Sequence, residues 1–89
     1  MLYEREMDIV GKLSRLKPND VGLQVDYAES ELDVGEVYRL LGKKEVAGQL
    51  LEQAKKTFVD LQRRAPLSRS EQRIFDRVEK EVLILSGST

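Results

Sequence analysis

Val34-Gly35-Glu36-Val37-Tyr38-Arg39-Leu40-Leu41-Gly42-Lys43-Lys44-Glu45-Val46-Ala47, running on to Leu50, Leu51 and Ala54, is the stretch whose reading decides the fold. It reads as the end of one helix, a turn of about three residues centred on Gly42, and the start of a second helix. Gly supplies the left-handed backbone that ends many helices, and Lys43 and Lys44 stand favourably near the carbonyl end of the first helix dipole. A turn this short forces the second helix to fold back on the first. A helical hairpin of this kind is a scaffold unit, and it suggests binding rather than chemistry.

Apolar periodicity extends outward from the hairpin on both sides. Ahead of it, the turn Pro18-Asn19-Asp20 precedes a helix over 21–41, with Asp20 as its cap. That helix carries Tyr27, Val34, Tyr38 and Leu41 on one face, with Gly35 beside them, and Val25 with Leu32 on another, so it is predicted to lie between neighbours. Behind the turn, a helix over 44–65 shows the clearest stripe: Ala47, Leu50, Leu51, Ala54, Phe58, Leu61 and Ala65. Ala47, Ala54 and Gly48 are small and predict close approach of a neighbouring backbone. Pro66 ends this helix, and Ser68-Arg69-Ser70-Glu71 fits the capping box that starts another, over 69–85, with Ile74, Phe75, Val78, Val82 and Leu85 inward. Residues 86–89 are small and polar and predict a disordered tail. At the other end, Leu2, Glu6, Ile9, Val10, Leu13 and Leu16 recur at helical spacing and predict a helix over 2–17, with Gly11 inside it.

The composition agrees with an all-α class. The 89 residues predict one small domain, residues 1–85, or a piece of a larger array, and 40% apolar with 35% charged residues fits a folded, highly soluble chain. Good helix formers dominate, and no short alternating runs predict strands. The chain has no Cys and no His, which removes disulfides, thiolate chemistry, the commonest zinc ligand and the commonest general base. With no Gly-rich phosphate loop either, an enzyme is not expected, nor a cofactor or metal. The formal net charge of −1 argues against a nucleic-acid surface. No apolar run approaches the roughly 20 residues of a membrane span, and Met-Leu-Tyr-Glu-Arg-Glu is too charged for a signal peptide, so the expected compartment is the cytoplasm. Charge is unevenly divided. Residues 1–42 carry five basic and nine acidic groups, a net −4, whereas residues 43–89 carry ten and seven, a net +3.

A shift of 48 residues superposes Pro18 on Pro66, Leu13 on Leu61, Val10 on Phe58, Asp20 on Ser68, Tyr27 on Phe75 and Val34 on Val82. Repetition at such a period marks a helical solenoid. Gly35-x-x-Tyr38, Gly42, Ala47 and Ala54 resemble the small and aromatic positions of the tetratricopeptide repeat. Glu31 stands where that family often has an aromatic, and the repeat is longer than the family's about 34 residues, so the chain is similar to a long-helix variant. The resemblance implies four helices in a right-handed solenoid of antiparallel hairpins, binding a protein or peptide partner. It also implies groove-facing positions at Glu29, Leu32, Glu36 and Arg39.

Two charged stripes are visible without the resemblance. Asp26, Glu29, Asp33 and Glu36 fall at three-four-three spacing, which puts four carboxylates on one strip of the 21–41 helix. Arg69, Arg73, Arg77 and Lys80 make a basic stripe on the 69–85 helix. The acidic strip is either a solvated face or a recognition surface. Arg77, which the repeat shift places level with Glu29, either pairs with it or, with Arg73, meets a partner's acidic groups. The expected function is a protein-interaction module or scaffold. The alternative is a structural homo-oligomer associating through exposed apolar helix faces.

Overall fold

The computed structural model describes residues 20–87, and these form three helices: α1 (Val21–Leu40), α2 (Lys44–Arg64) and α3 (Arg69–Gly87). Among the described residues there is no strand, so the all-α expectation holds. The helix expected over 2–17 lies outside the described residues, and the four-helix solenoid that includes it is not established by these three. α3 continues through Ser86 and Gly87, so the predicted disordered tail is corrected at those two positions: both sit in the helix, where the Ser86 hydroxyl donates to the Val82 carbonyl at 3.0 Å.

Each helix boundary has a local cause. Asp20 is extended, and its Oδ1 accepts the Leu23 N–H at 3.1 Å, which satisfies one of the unpaired donors of the first turn. At the other end Gly42 takes φ +81°. The Gly42 N–H then donates to the Arg39 carbonyl at 3.0 Å and the Lys43 N–H to the Tyr38 carbonyl at 2.8 Å, the paired bonds of a Schellman motif. Lys43 completes it by placing Nζ 5.8 Å from the centre of the Tyr38 ring. α2 stops at extended Ala65, the conformation favoured before Pro66. α3 begins with the capping box: the Ser68 N–H donates to Glu71 Oε1 at 2.8 Å, and the Glu71 N–H donates to Ser68 Oγ at 3.2 Å.

The core runs through all three helices. Val25, Ala28 and Leu32 of α1 meet Leu51, Ala54, Phe58 and Leu61 of α2 and Phe75 and Val78 of α3. Phe58 and Phe75 stack with ring centroids 5.5 Å apart and planes 12° from parallel, which joins α2 to α3 through an aromatic contact. The hairpin contact is closest at Gly35, where an added Cβ would lie 3.0 Å from Leu51 Cγ and 3.5 Å from the Ala47 carbonyl oxygen. Ala47 and Ala54 are fully buried, as their small size predicts. Gly48 is a correction: no heavy atom lies within 4 Å of a Cβ built on it, so no neighbouring backbone requires it there. Leu41 and Ala65, expected on apolar faces, are exposed because both fall just past the end of their helices.

Candidate functional site

α3 packs chiefly against α2 and also lies alongside α1. Two contacts show that α1 and α3 run in the same direction: Arg77 reaches Asp33 and Glu36, and further along Glu81 reaches Arg39. The acidic strip of α1 thus faces the basic stripe of α3 across one surface. Arg77 Nη2 stands 3.6 Å from both Asp33 Oδ1 and Glu36 Oε2, with the three side chains 51%, 41% and 38% exposed respectively. Ion pairs this open contribute about 0–1 kcal/mol each. With Val37 these residues line a shallow depression of about 220 Å³. Asp26 is exposed and Glu29 half-buried nearer the start of α1, and Arg73 is exposed one turn before Arg77.

The expected pairing of Arg77 with Glu29 is not formed. Arg77 meets Asp33 and Glu36, which lie 44 and 41 positions earlier (77 − 33 and 77 − 36), and Arg39 meets Glu81 42 positions later. The helices therefore sit at an offset near 42, not the 48 of the sequence repeat. The apolar fit of Phe75 and Val78 into the hairpin sets that offset, and charge follows it.

Two residues expected in the groove are elsewhere. Leu32 is fully buried in the core and presents nothing to a partner. Arg39, seven residues later and on the same side of the helix, turns to α3, where Nε donates to Glu81 Oε2 at 2.5 Å and Nη2 to Oε1 at 3.3 Å. The hydrogen bond to Glu81, aided by that carboxylate's charge, raises the already high pKa of the guanidinium. Glu81 is itself buried, so removing Arg39 strands a carboxylate in a low-dielectric setting, whereas removing both charges does not. Arg39→Met is expected to lower the melting temperature by several degrees, on the order of 5 °C, and Arg39→Met with Glu81→Leu to recover most of it. Thermal melts of the two single variants and the double variant test this, and equal losses in single and double variants would show that the pair is not what joins the helices.

Glu31 is the second buried carboxyl, 2% exposed, and burial pushes its pKa up to about 8. It lies one turn from Val34 and from Tyr27, on a flank of α1 turned away from the acidic strip. Neither buried Glu was expected as such, yet each stands three or four residues from apolar positions: Glu31 by Tyr27 and Val34, Glu81 by Val78 and Leu85. That periodicity was the available signal. Among the described residues no group of three or more acidic, His or Cys side chains is placed to hold a metal ion, and no helix is long and apolar enough to cross a membrane. What the α1/α3 surface offers chemically is Arg77 at contact range of Asp33 and Glu36, with Asp26, Glu29 and Arg73 nearer the starts of the same two helices. No protein-family model matches the chain, and no curated protein or solved structure matches it.

Proposed function

We propose that this chain is a non-catalytic protein-interaction module, or part of a larger scaffold, that receives a peptide or helix on the α1/α3 surface. It is a cytoplasmic, long-helix relative of the tetratricopeptide arrays, and it uses no cofactor and binds neither nucleic acid nor membrane. The observation that carries the reading is the parallel placement of α1 and α3, which brings Arg77 to Asp33 and Glu36; Asp26 and Glu29 continue the acidic strip and Arg73 precedes Arg77 by one helical turn. Such a face selects partners by charge pattern and speeds their encounter. Its centre is self-paired through Arg77, which leaves Asp26, Glu29 and Arg73 as the groups offered to a partner.

The test follows from that division. Asp26→Lys with Glu29→Lys keeps Arg77 on Asp33 and Glu36, so helicity by circular dichroism is expected to stay at the wild-type level. Binding of proteins retained from a lysate, read by quantitative mass spectrometry, is expected to fall about tenfold or more. A matched reversal on the far side of α2, Arg63→Glu with Lys56→Glu, is expected to leave it unchanged. Equal retention by all three proteins removes the α1/α3 surface as the site.

A further inference from the structure

Because α1 and α3 run in the same direction, the face they share has a simple relation to a copy of itself. Arg77 reaches Glu36 and Asp33, and Glu81 reaches Arg39, so residues 41 to 44 positions apart lie level across the two helices (77 − 36, 81 − 39 and 77 − 33). Both helices rise about 1.5 Å per residue, so the offset holds along them. Glu29, Asp33, Glu36 and Leu40 follow four-three-four spacing and share one strip of α1. Arg73, Arg77, Lys80 and Ile84 follow the same spacing on α3. Member by member the two strips stand 44 positions apart (73 − 29, 77 − 33, 80 − 36 and 84 − 40). Acid is therefore level with base three times, and Leu with Ile once. Among the described residues Glu29, Arg73 and Lys80 form no ion pair. Leu40 is 69% exposed and Ile84 37%, so the apolar end of the face is open as well.

An isologous contact requires a surface that complements itself. A two-fold axis parallel to the helices, set in front of this face, exchanges left for right and keeps height. It lays α1 of each copy on α3 of the other, so each α1 residue meets the α3 residue that is level with it in its own chain. An axis across the helices would instead lay α1 on α1, acid against acid. We infer that the α1/α3 face is a two-fold self-association surface whose occupant is a second copy of this chain. Glu29 meets Arg73 of the second copy, Glu36 meets Lys80 and Leu40 meets Ile84, and each contact is made twice. Arg77 stays on Asp33 and Glu36 of its own chain and lies across from Asp33 of the other, so nothing inside either copy has to move. The inference rests on the α1/α3 surface being the interaction face and names what occupies it.

Sedimentation equilibrium on the full chain tests the proposal. At concentrations up to on the order of 100 µM the wild-type protein is expected to approach twice the 10.2 kDa chain mass. Glu29→Arg alone and Arg73→Glu alone each place like charges at both symmetric contacts, and each is expected to weaken association about tenfold or more with helicity unchanged by circular dichroism. Mixed one to one, these two variants are expected to pair with each other as the wild type does, because both contacts of the mixed dimer are again opposite in sign. An effect confined to one chain cannot give that rescue. Leu40→Ser is expected to weaken the dimer as well. A single-charge variant that associates like the wild type, or a mixture that stays monomeric, overturns the inference. So does a monomeric wild type. If that monomer still loses its lysate partners on Asp26→Lys with Glu29→Lys, only the second copy is overturned, whereas a monomer that keeps them removes the face as a site altogether.

Discussion

Glu31→Gln is expected to stabilise the protein by about 3 kcal/mol at pH 7 and by almost nothing at pH 4. The carboxyl is 2% exposed and its pKa is raised by burial from 4.5 to about 8. In the unfolded chain the group ionises near 4.5, whereas in the folded chain it stays neutral until about pH 8. Between those values the folded state holds one more proton, so unfolding releases a proton and rising pH favours it. Stability from this residue is therefore full below pH 4.5, falls through the window, and is lost above pH 8. At pH 7 the window has been crossed by about 2.5 pH units, at 1.36 kcal/mol each. Gln keeps the shape and the polarity of the neutral acid but cannot ionise, so its profile lacks this slope. Urea titrations of both proteins at pH 4, 7 and 8.5 test it: the gap in unfolding free energy should open with pH. Parallel profiles would mean that Glu31 ionises in the folded protein as it does in water.

Gly35→Leu is expected to lower stability by about 1–3 kcal/mol, because the site has no room for a side chain. Even the first carbon would lie 3.0 Å from Leu51 Cγ and 3.1 Å from its Cδ2, with the Ala47 carbonyl oxygen behind at 3.5 Å. Leu51 is fully buried against Leu32 and Phe58 in the core cluster, so it yields only if its neighbours do. The better helix propensity of Leu recovers under about 1 kcal/mol of this. Denaturant midpoints with an unchanged slope give the measurement. A midpoint at or above the wild-type value would show that α1 and α2 separate slightly to accept the side chain.

Much of the hairpin is written in local signals. Asp20, Gly42, Pro66 and the Ser68/Glu71 box each act on backbone groups within a few residues, so their effects are readable without knowing the rest of the chain. Small size is a less certain signal: Gly35 and Ala47 do stand at the close contact of the hairpin, whereas Gly48 faces open space. The surface was legible only in part. Asp26, Glu29, Asp33 and Glu36 share a strip because helical geometry puts them there, but which cation they meet depends on how far α3 slides along α1. Apolar packing decides that slide, and a repeat of 48 in the sequence does not encode it. Arg39 and Leu32 were misplaced for a related reason: both stand on the side of α1 turned toward the other helices, a phase that the resemblance did not supply. Glu31 and Glu81 were hidden by their charge. A carboxylate suggests exposure, whereas the spacing of Glu31 from Tyr27 and Val34, and of Glu81 from Val78 and Leu85, marks both as facing inward.

The Phe58–Phe75 stack also determines which part of the molecule light can report on. The chain has no Trp, and its three tyrosines, Tyr3, Tyr27 and Tyr38, all precede Gly42. Tyrosine emission therefore originates wholly outside α2 and α3. The phenylalanine rings are the aromatic chromophores of those two helices, one on each, and they couple only while the helices are packed together. Near-ultraviolet circular dichroism in the phenylalanine band thus records the docking of α3, and tyrosine fluorescence records the surroundings of Tyr3 and of Tyr27 and Tyr38 on α1, so the two bands separate parts of one folding transition that far-ultraviolet helicity blends.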